Sequence, residues 1–165
     1  MKSIVLACLL TLFSSAVLSI ELKPVADGFV TPPLKLTDLQ GKAHDLADYK
    51  GQVVLLQFWA TYCPPCRKEM PSMNRLMKKM EGTPFTILAV DMGESKQEVE
   101  KFIKEVGAEF TVLLDEAGDS VGAWKVFAAP SNFIIAPDGK AKYTLFGGVE
   151  WDSDEMVAAL KGRAK

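Results

Sequence analysis

The run Val53-Val54-Leu55-Leu56-Gln57 constrains the fold more than any other stretch of this chain. Apolar residues in unbroken succession cannot alternate between core and water, so a strand made of them must be covered on both faces. Such a strand lies inside a sheet and needs helices on either side. The chain supplies them. Met70, Met73, Leu76, Met77 and Met80 recur at helical spacing, with Pro71 expected to kink their helix. Ser95-Lys96-Gln97-Glu98 is a capping box for a second helix, with Val99, Phe102, Ile103 and Val106 on one face and Gly107 as its stop. Phe85 to Val90 reads as another buried strand, Thr111 to Leu114 as a short one and Ser120 to Val126 as a short helix. Phe133-Ile134-Ile135, a turn at Pro137-Asp138-Gly139 and Lys142 to Phe146 form an antiparallel pair, and a last helix carries Met156, Val157 and Leu160 behind a cap at Asp152 to Glu155. This alternation predicts an α/β sandwich, a mixed central sheet flanked by helices. Ahead of it, Leu34 to Thr37 and Lys42 to Leu46 alternate around a turn, which predicts an added N-terminal β-hairpin. His44, the sole histidine, is read there as a solvated residue.

The start of the chain has a different character. Met1-Lys2 precedes an uncharged run from Ile4 to Leu18 with small residues near its end, the pattern of a secretory signal peptide. Cleavage after Ser19 or Ala16 is expected; a retained anchor is the alternative. The division is then residues 1–19 leader, 20–32 linker or extended arm, and 33–165 one folded domain. Losing the leader also removes Cys8, so the exported chain keeps only Cys63 and Cys66 and must be held by its core. At roughly 145 residues it is large enough to have one. The net charge of −2, with acidic and basic residues interspersed, gives no footprint for nucleic acid or an anionic membrane.

The chemistry concentrates in Phe58-Trp59-Ala60-Thr61-Tyr62-Cys63-Pro64-Pro65-Cys66-Arg67-Lys68-Glu69-Met70-Pro71. Its cysteines fall where the buried strand ends and a helix begins. Unpaired N–H groups and the helix dipole stabilise a thiolate there, so Cys63 is expected to be the exposed, attacking thiol and Cys66 the buried, resolving one. Pro64 and Pro65 suit a first helical turn but subtract N–H donors. A structural disulfide is the plainer reading, yet one spanning two residues would stabilise little. A zinc site lacks a second ligand pair, so no metal and no cofactor are expected. The methionine stripe is read as core packing rather than a copper site.

This segment resembles the active site of thioredoxin-fold proteins, and specifically the TlpA/ResA/DsbE-like family of exported bacterial thiol-disulfide oxidoreductases. The Trp-Ala-x-x-Cys-x-x-Cys core, Glu69 with Pro71, and the later Ala129-Pro130-Ser131 carry the likeness. The resemblance implies a thioredoxin-like topology and a redox disulfide between Cys63 and Cys66. It also implies a cis-proline loop at Pro130, where the backbone of Ala129 would pair with an incoming peptide. Glu69 is assigned to proton handling, because Gln57 stands where thioredoxins carry a titrating aspartate. Trp59 is expected to pack beneath the site, and Tyr62 replaces a tryptophan common in the family. The implied function is reduction of protein disulfides in the periplasm, with apocytochrome c as a candidate client and a membrane thiol carrier of the DsbD/CcdA type as electron donor. A monomer is expected. Two competitors have specific deficits: a copper chaperone of the Sco type needs wider cysteine spacing and a later histidine, and a thiol peroxidase needs a Pro-x-x-x-Thr-x-x-Cys pattern. A disulfide-forming oxidant is separated from a reductase by reduction potential, which Cys-Pro-Pro-Cys does not fix.

Overall fold

The computed structural model describes residues 22–164, so the leader expected over 1–19 lies outside the described residues. Eight strands form one mixed sheet: β1 (Lys23–Pro24), β2 (Lys35–Asp38), β3 (Ala43–Asp45), β4 (Val53–Trp59), β5 (Phe85–Asp91), β6 (Thr111–Leu114), β7 (Ser131–Ile135) and β8 (Ala141–Phe146). Their order across the sheet is β1-β8-β7-β4-β5-β6-β2-β3. The helices are α1 (Pro64–Lys79), α2 (Lys96–Val106), α3 (Asp119–Ala123) and α4 (Asp154–Arg163). Among the described residues, none of them is long and apolar enough to cross a membrane.

β4 lies in the middle, parallel to β5 and antiparallel to β7. Its alternate residues feed two cores. Val53, Leu55 and Trp59 join Met70, Met73, Leu76 and Met80 of α1 and its C-terminal cap, Val99 and Phe102 of α2 and Leu160 of α4. Val54, Leu56 and Phe58 meet Leu88, Trp124 and Phe133 on the opposite face. The doubly covered strand that its apolar run demands is therefore present, and the methionines of α1 fill the first core. The helix runs through Pro71 without a break in its span. At α2 the Ser95 capping box and the left-handed Gly107 stop are both formed.

Two segments differ from their sequence reading. The stretch expected as a linker or arm contributes β1, which pairs with β8. Phe29 then stacks on Phe133 at 5.9 Å and lies 6.2 Å from Trp124, so aromatic burial holds the arm to the domain. His44 is not solvated: only 9% of it is exposed. β2 pairs with β6 as well as with β3, so one face of the hairpin turns inward and takes the ring with it. Nε2 donates to Asp38 Oδ2 at 2.8 Å and Nδ1 shares a hydrogen bond with the Tyr49 hydroxyl. The same aspartate accepts the Gln40 and Lys42 amides at 2.9 Å, closing the hairpin turn. His44 is thus a satisfied buried group pinning the hairpin. His44→Ala should lower the unfolding free energy by about 1–3 kcal/mol, because Asp38 and Tyr49 lose their partner. Urea titration checks this; a loss below about 0.5 kcal/mol is the range of a solvated surface residue.

Candidate active site

Cys63 is the N-cap of α1, and its Sγ accepts the Cys66 amide at 3.2 Å. Pro64 and Pro65 occupy the first helical positions and carry no N–H, so that amide is the first helical donor facing the sulfur. The two cysteines form a disulfide, with Cα atoms 5.3 Å apart. Cys66 is wholly buried and Cys63 is 6% exposed. The expectation of an exposed Cys63 is corrected to this extent: bonded to Cys66, its sulfur is drawn into the core that also contains Trp59 and Met70. Cys63 is the outer of the two.

One turn beyond Cys66, Glu69 is buried at 2% exposure. Its Oε2 accepts the Val149 amide and the Trp151 indole N–H, each at 3.1 Å. Its Oε1 accepts the Gln57 amide at 2.5 Å. Burial pushes the Glu69 carboxyl up to about 7, against the opposing pull of the Val149 and Trp151 donors. A carboxyl with that value holds or releases a proton near neutrality. Gln57, on the α1 side of β4, also reaches Met73 Sδ and Asn132 Oδ1, while its own Oε1 has no partner among the described residues. Turning the amide over would offer that oxygen to a protonated Glu69, so Gln57 suits either state of the carboxyl. Gln57 is thus the partner of Glu69, a role beyond its reading as a non-titrating substitute. A cavity of about 210 Å³ opens beside Glu69, which lines it with Pro65, Lys68, Gly148, Val149 and Glu150.

The Ala129–Pro130 peptide is cis. Ala129 packs on the core that includes both cysteines. The Pro130 carbonyl accepts the Gly147 amide at 3.0 Å, joining this loop to the end of β8. Gly148 lies next to the dithiol turn: a Cβ there would come within 3.0 Å of the Pro65 carbonyl oxygen. Trp59 is fully buried against Phe102, with ring centroids 5.0 Å apart, whereas Tyr62 is 73% exposed.

Sequence reasoning missed an acidic cluster on the opposite side of the motif. Glu94 accepts the Thr61 amide at 2.6 Å and the Thr61 hydroxyl, fixing the loop that enters Cys63. Asp91, at the end of β5, accepts the Glu94 amide at 2.8 Å and is itself fully buried. Its carboxyl is raised, chiefly by burial and further by the nearby Glu94 and Asp115 carboxylates. Asp91 directly follows the apolar run Phe85–Val90, and a charge in that place was the available signal. Among the described residues, no cluster of three or more His, Cys, Asp or Glu side chains is arranged to hold a metal ion.

The Glu69 shift has a measurable sign. The folded chain retains this proton up to about pH 7, whereas the unfolded carboxyl loses it near 4.5. Its stabilising contribution is full below the lower value and is lost as pH rises through the higher one. Between pH 4.5 and 8 the oxidised wild type should therefore lose up to about 3 kcal/mol relative to Glu69→Gln. Urea titrations of both proteins across that range check this; parallel profiles would remove the buried proton from the account.

Comparison with known proteins matches this geometry. The AhpC/TSA family model covers residues 28–144. The chain is 40% identical to the thiol-disulfide oxidoreductase ResA of Geobacillus thermodenitrificans over 127 residues, 77% of this chain and 73% of that protein. With ResA of Bacillus subtilis it shares 38% over 123 residues, 74% of this chain and 69% of the relative. Among solved structures, the thioredoxin domain of a thiol-disulfide oxidoreductase from Bacteroides vulgatus superposes with a TM-score of 0.73 at 26% identity, covering 86% of this chain and 99% of that one. On these matches the chain belongs to the AhpC/TSA family of thioredoxin-fold proteins as a ResA-like thiol-disulfide oxidoreductase.

Proposed function

We propose that the chain works outside the cytoplasm as a reductase of protein disulfides. The observation that carries the direction is the poor supply of donors to Cys63: one helical amide, from Cys66, with prolines at both positions before it. A dithiol becomes strongly oxidising when its reduced form is stabilised as a thiolate. Few donors mean a less stabilised thiolate, a better electron donor and a poorer oxidant. Above about pH 7, where the Glu69 carboxyl ionises, its negative charge would further disfavour an anionic sulfur.

In the proposed cycle the Cys63 thiolate attacks a substrate disulfide, forming a mixed disulfide and expelling one substrate sulfur, which takes up a proton from solvent. Cys66 then passes its proton to Glu69 and attacks Cys63 Sγ. The second substrate sulfur leaves and is protonated, and the Cys63–Cys66 disulfide remains. Two electrons have moved to the substrate. The backbone of Ala129 would hold the incoming strand beside Cys63. A membrane thiol carrier of the DsbD/CcdA type returns the electrons, and thiols of apocytochrome c are the proposed client. The leader over 1–19 would deliver the domain to the periplasm, free or tethered. The copper-chaperone alternative draws no support from α1, whose Met70, Met73 and C-terminal cap Met80 are enclosed in the core.

Equilibration with glutathione or dithiothreitol tests the direction. The potential should lie well below about −200 mV, and a value near −120 mV would make the chain an oxidant instead. Cys63→Ser should abolish insulin reduction, while Cys66→Ser should accumulate a mixed disulfide with the client. Persistent turnover in Cys63→Ser would end the proposal.

A further inference from the structure

The dithiol is bordered by aromatic side chains that the fold does not use. Three of the large apolar residues left open to solvent are Tyr62, Phe127 and Phe146, exposed by 73%, 81% and 52%. Tyr62 directly precedes Cys63. The Phe127 and Phe146 rings lie 5.5 Å apart, tilted by 34°, and so form a pair with open outer faces. They are not overflow from the interior. The aromatic core on that side is closed on itself by Phe29, Phe58, Trp124 and Phe133, and neither open ring belongs to it.

Backbone contacts tie the pair to the reacting sulfurs. Phe127 begins the loop Phe127-Ala128-Ala129-Pro130, whose Ala128 carbonyl accepts the Ser131 hydroxyl at 2.6 Å. Phe146 pairs with Ser131 across β7 and β8. The next residue, Gly147, donates to the Pro130 carbonyl, and Gly148 rests against Pro65 between the two cysteines. The rim therefore runs without interruption from the aromatic pair to the dithiol turn. Lys125 sets which ring is shown. It adopts a left-handed backbone, φ 54°, and beyond it Val126 packs inward while Phe127 faces out.

We infer that Phe127 and Phe146 form a docking platform for an aliphatic or aromatic side chain lying close to the cysteine of an extended, disulfide-bearing polypeptide. This rests on the reductase reading and names the kind of client that reading leaves open. The occupant follows from continuity with the reacting site. A polypeptide strand paired with the Ala129 backbone would lie along this rim, and an open aromatic pair gains by being covered by an apolar group rather than a charged one. A folded, polar protein surface would leave the rings wet. An extended segment covers them while its disulfide reaches Cys63.

The test uses the full chain and three disulfides: a peptide with leucine or phenylalanine beside its cysteine, the same peptide with serine there, and the small aromatic disulfide DTNB. The wild type should reduce the apolar peptide about tenfold more efficiently than the serine peptide, with the difference in KM, as expected for covering one apolar side chain. The double change Phe127→Ser and Phe146→Ser should abolish this ratio, and leucine at both positions should restore most of it. Absence of the ratio in the wild type, with DTNB still reduced, would overturn the platform alone. So would a ratio that survives both serines, or a concentration-dependent dimer that those serines dissociate without altering it. Failure to reduce any of the three would overturn the reductase reading and the platform with it.

Discussion

β4 hydrogen-bonds to a neighbour on each edge and carries a core on each face, so it has no freedom to shift. Everything reactive is referred to its end. Trp59 closes the strand inside the core, Thr61 is seized by Glu94, and Cys63 follows as the cap of α1. A helix whose apolar stripe is locked into the same core holds the second sulfur. A thiol pair on a mobile loop would be placed by chance at each encounter; this one is placed by the packing of a whole domain.

The polar groups inside that packing are the costly part of the design. A buried carboxyl and a buried amide face each other across the α1 side of the sheet, where a leucine and a methionine would stabilise the fold more. The Gln57–Glu69 pair persists because its donors come from two well-separated parts of the chain: β4, and the loop after β8 that carries Val149 and Trp151. That convergence fixes the orientation of the carboxyl while leaving its proton exchangeable. On the far side Asp91 and Glu94 hold the entry loop, so carboxyl groups flank the motif in front and behind.

Much of this was legible in the sequence because it depends on local patterns. The apolar run of β4, the Ser95 box, the Gly107 stop and the strand–helix junction at Cys63 each state their own structure. The α/β sandwich followed from their order, and its thioredoxin-like topology from the resemblance of the cysteine segment. What could not be read depends on distant partners. His44 alternates like any hairpin residue, and only the pairing of β2 with β6 buries it. β1 is a pair of residues with no pattern, made a strand by the free edge of β8. Glu69 was singled out by resemblance, but Val149 and Trp151, eighty residues away in the chain, raise no local signal. Glu94 was missed for the same reason, whereas Asp91 carried a local signal as the charge that ends the Phe85–Val90 run.

Gly148 fits so closely against Pro65 that a Cβ would press on the backbone carbonyl and the Cβ of the proline, at 3.0 and 3.1 Å. Those atoms are common to every residue except glycine, which lacks the Cβ. Evolution, or an engineer, can thus exchange the two residues between the cysteines and retune the electron chemistry without redrawing the seam behind them. The freedom is one-sided. Variation belongs to the dipeptide, and its counterpart across the seam is held at the smallest residue available.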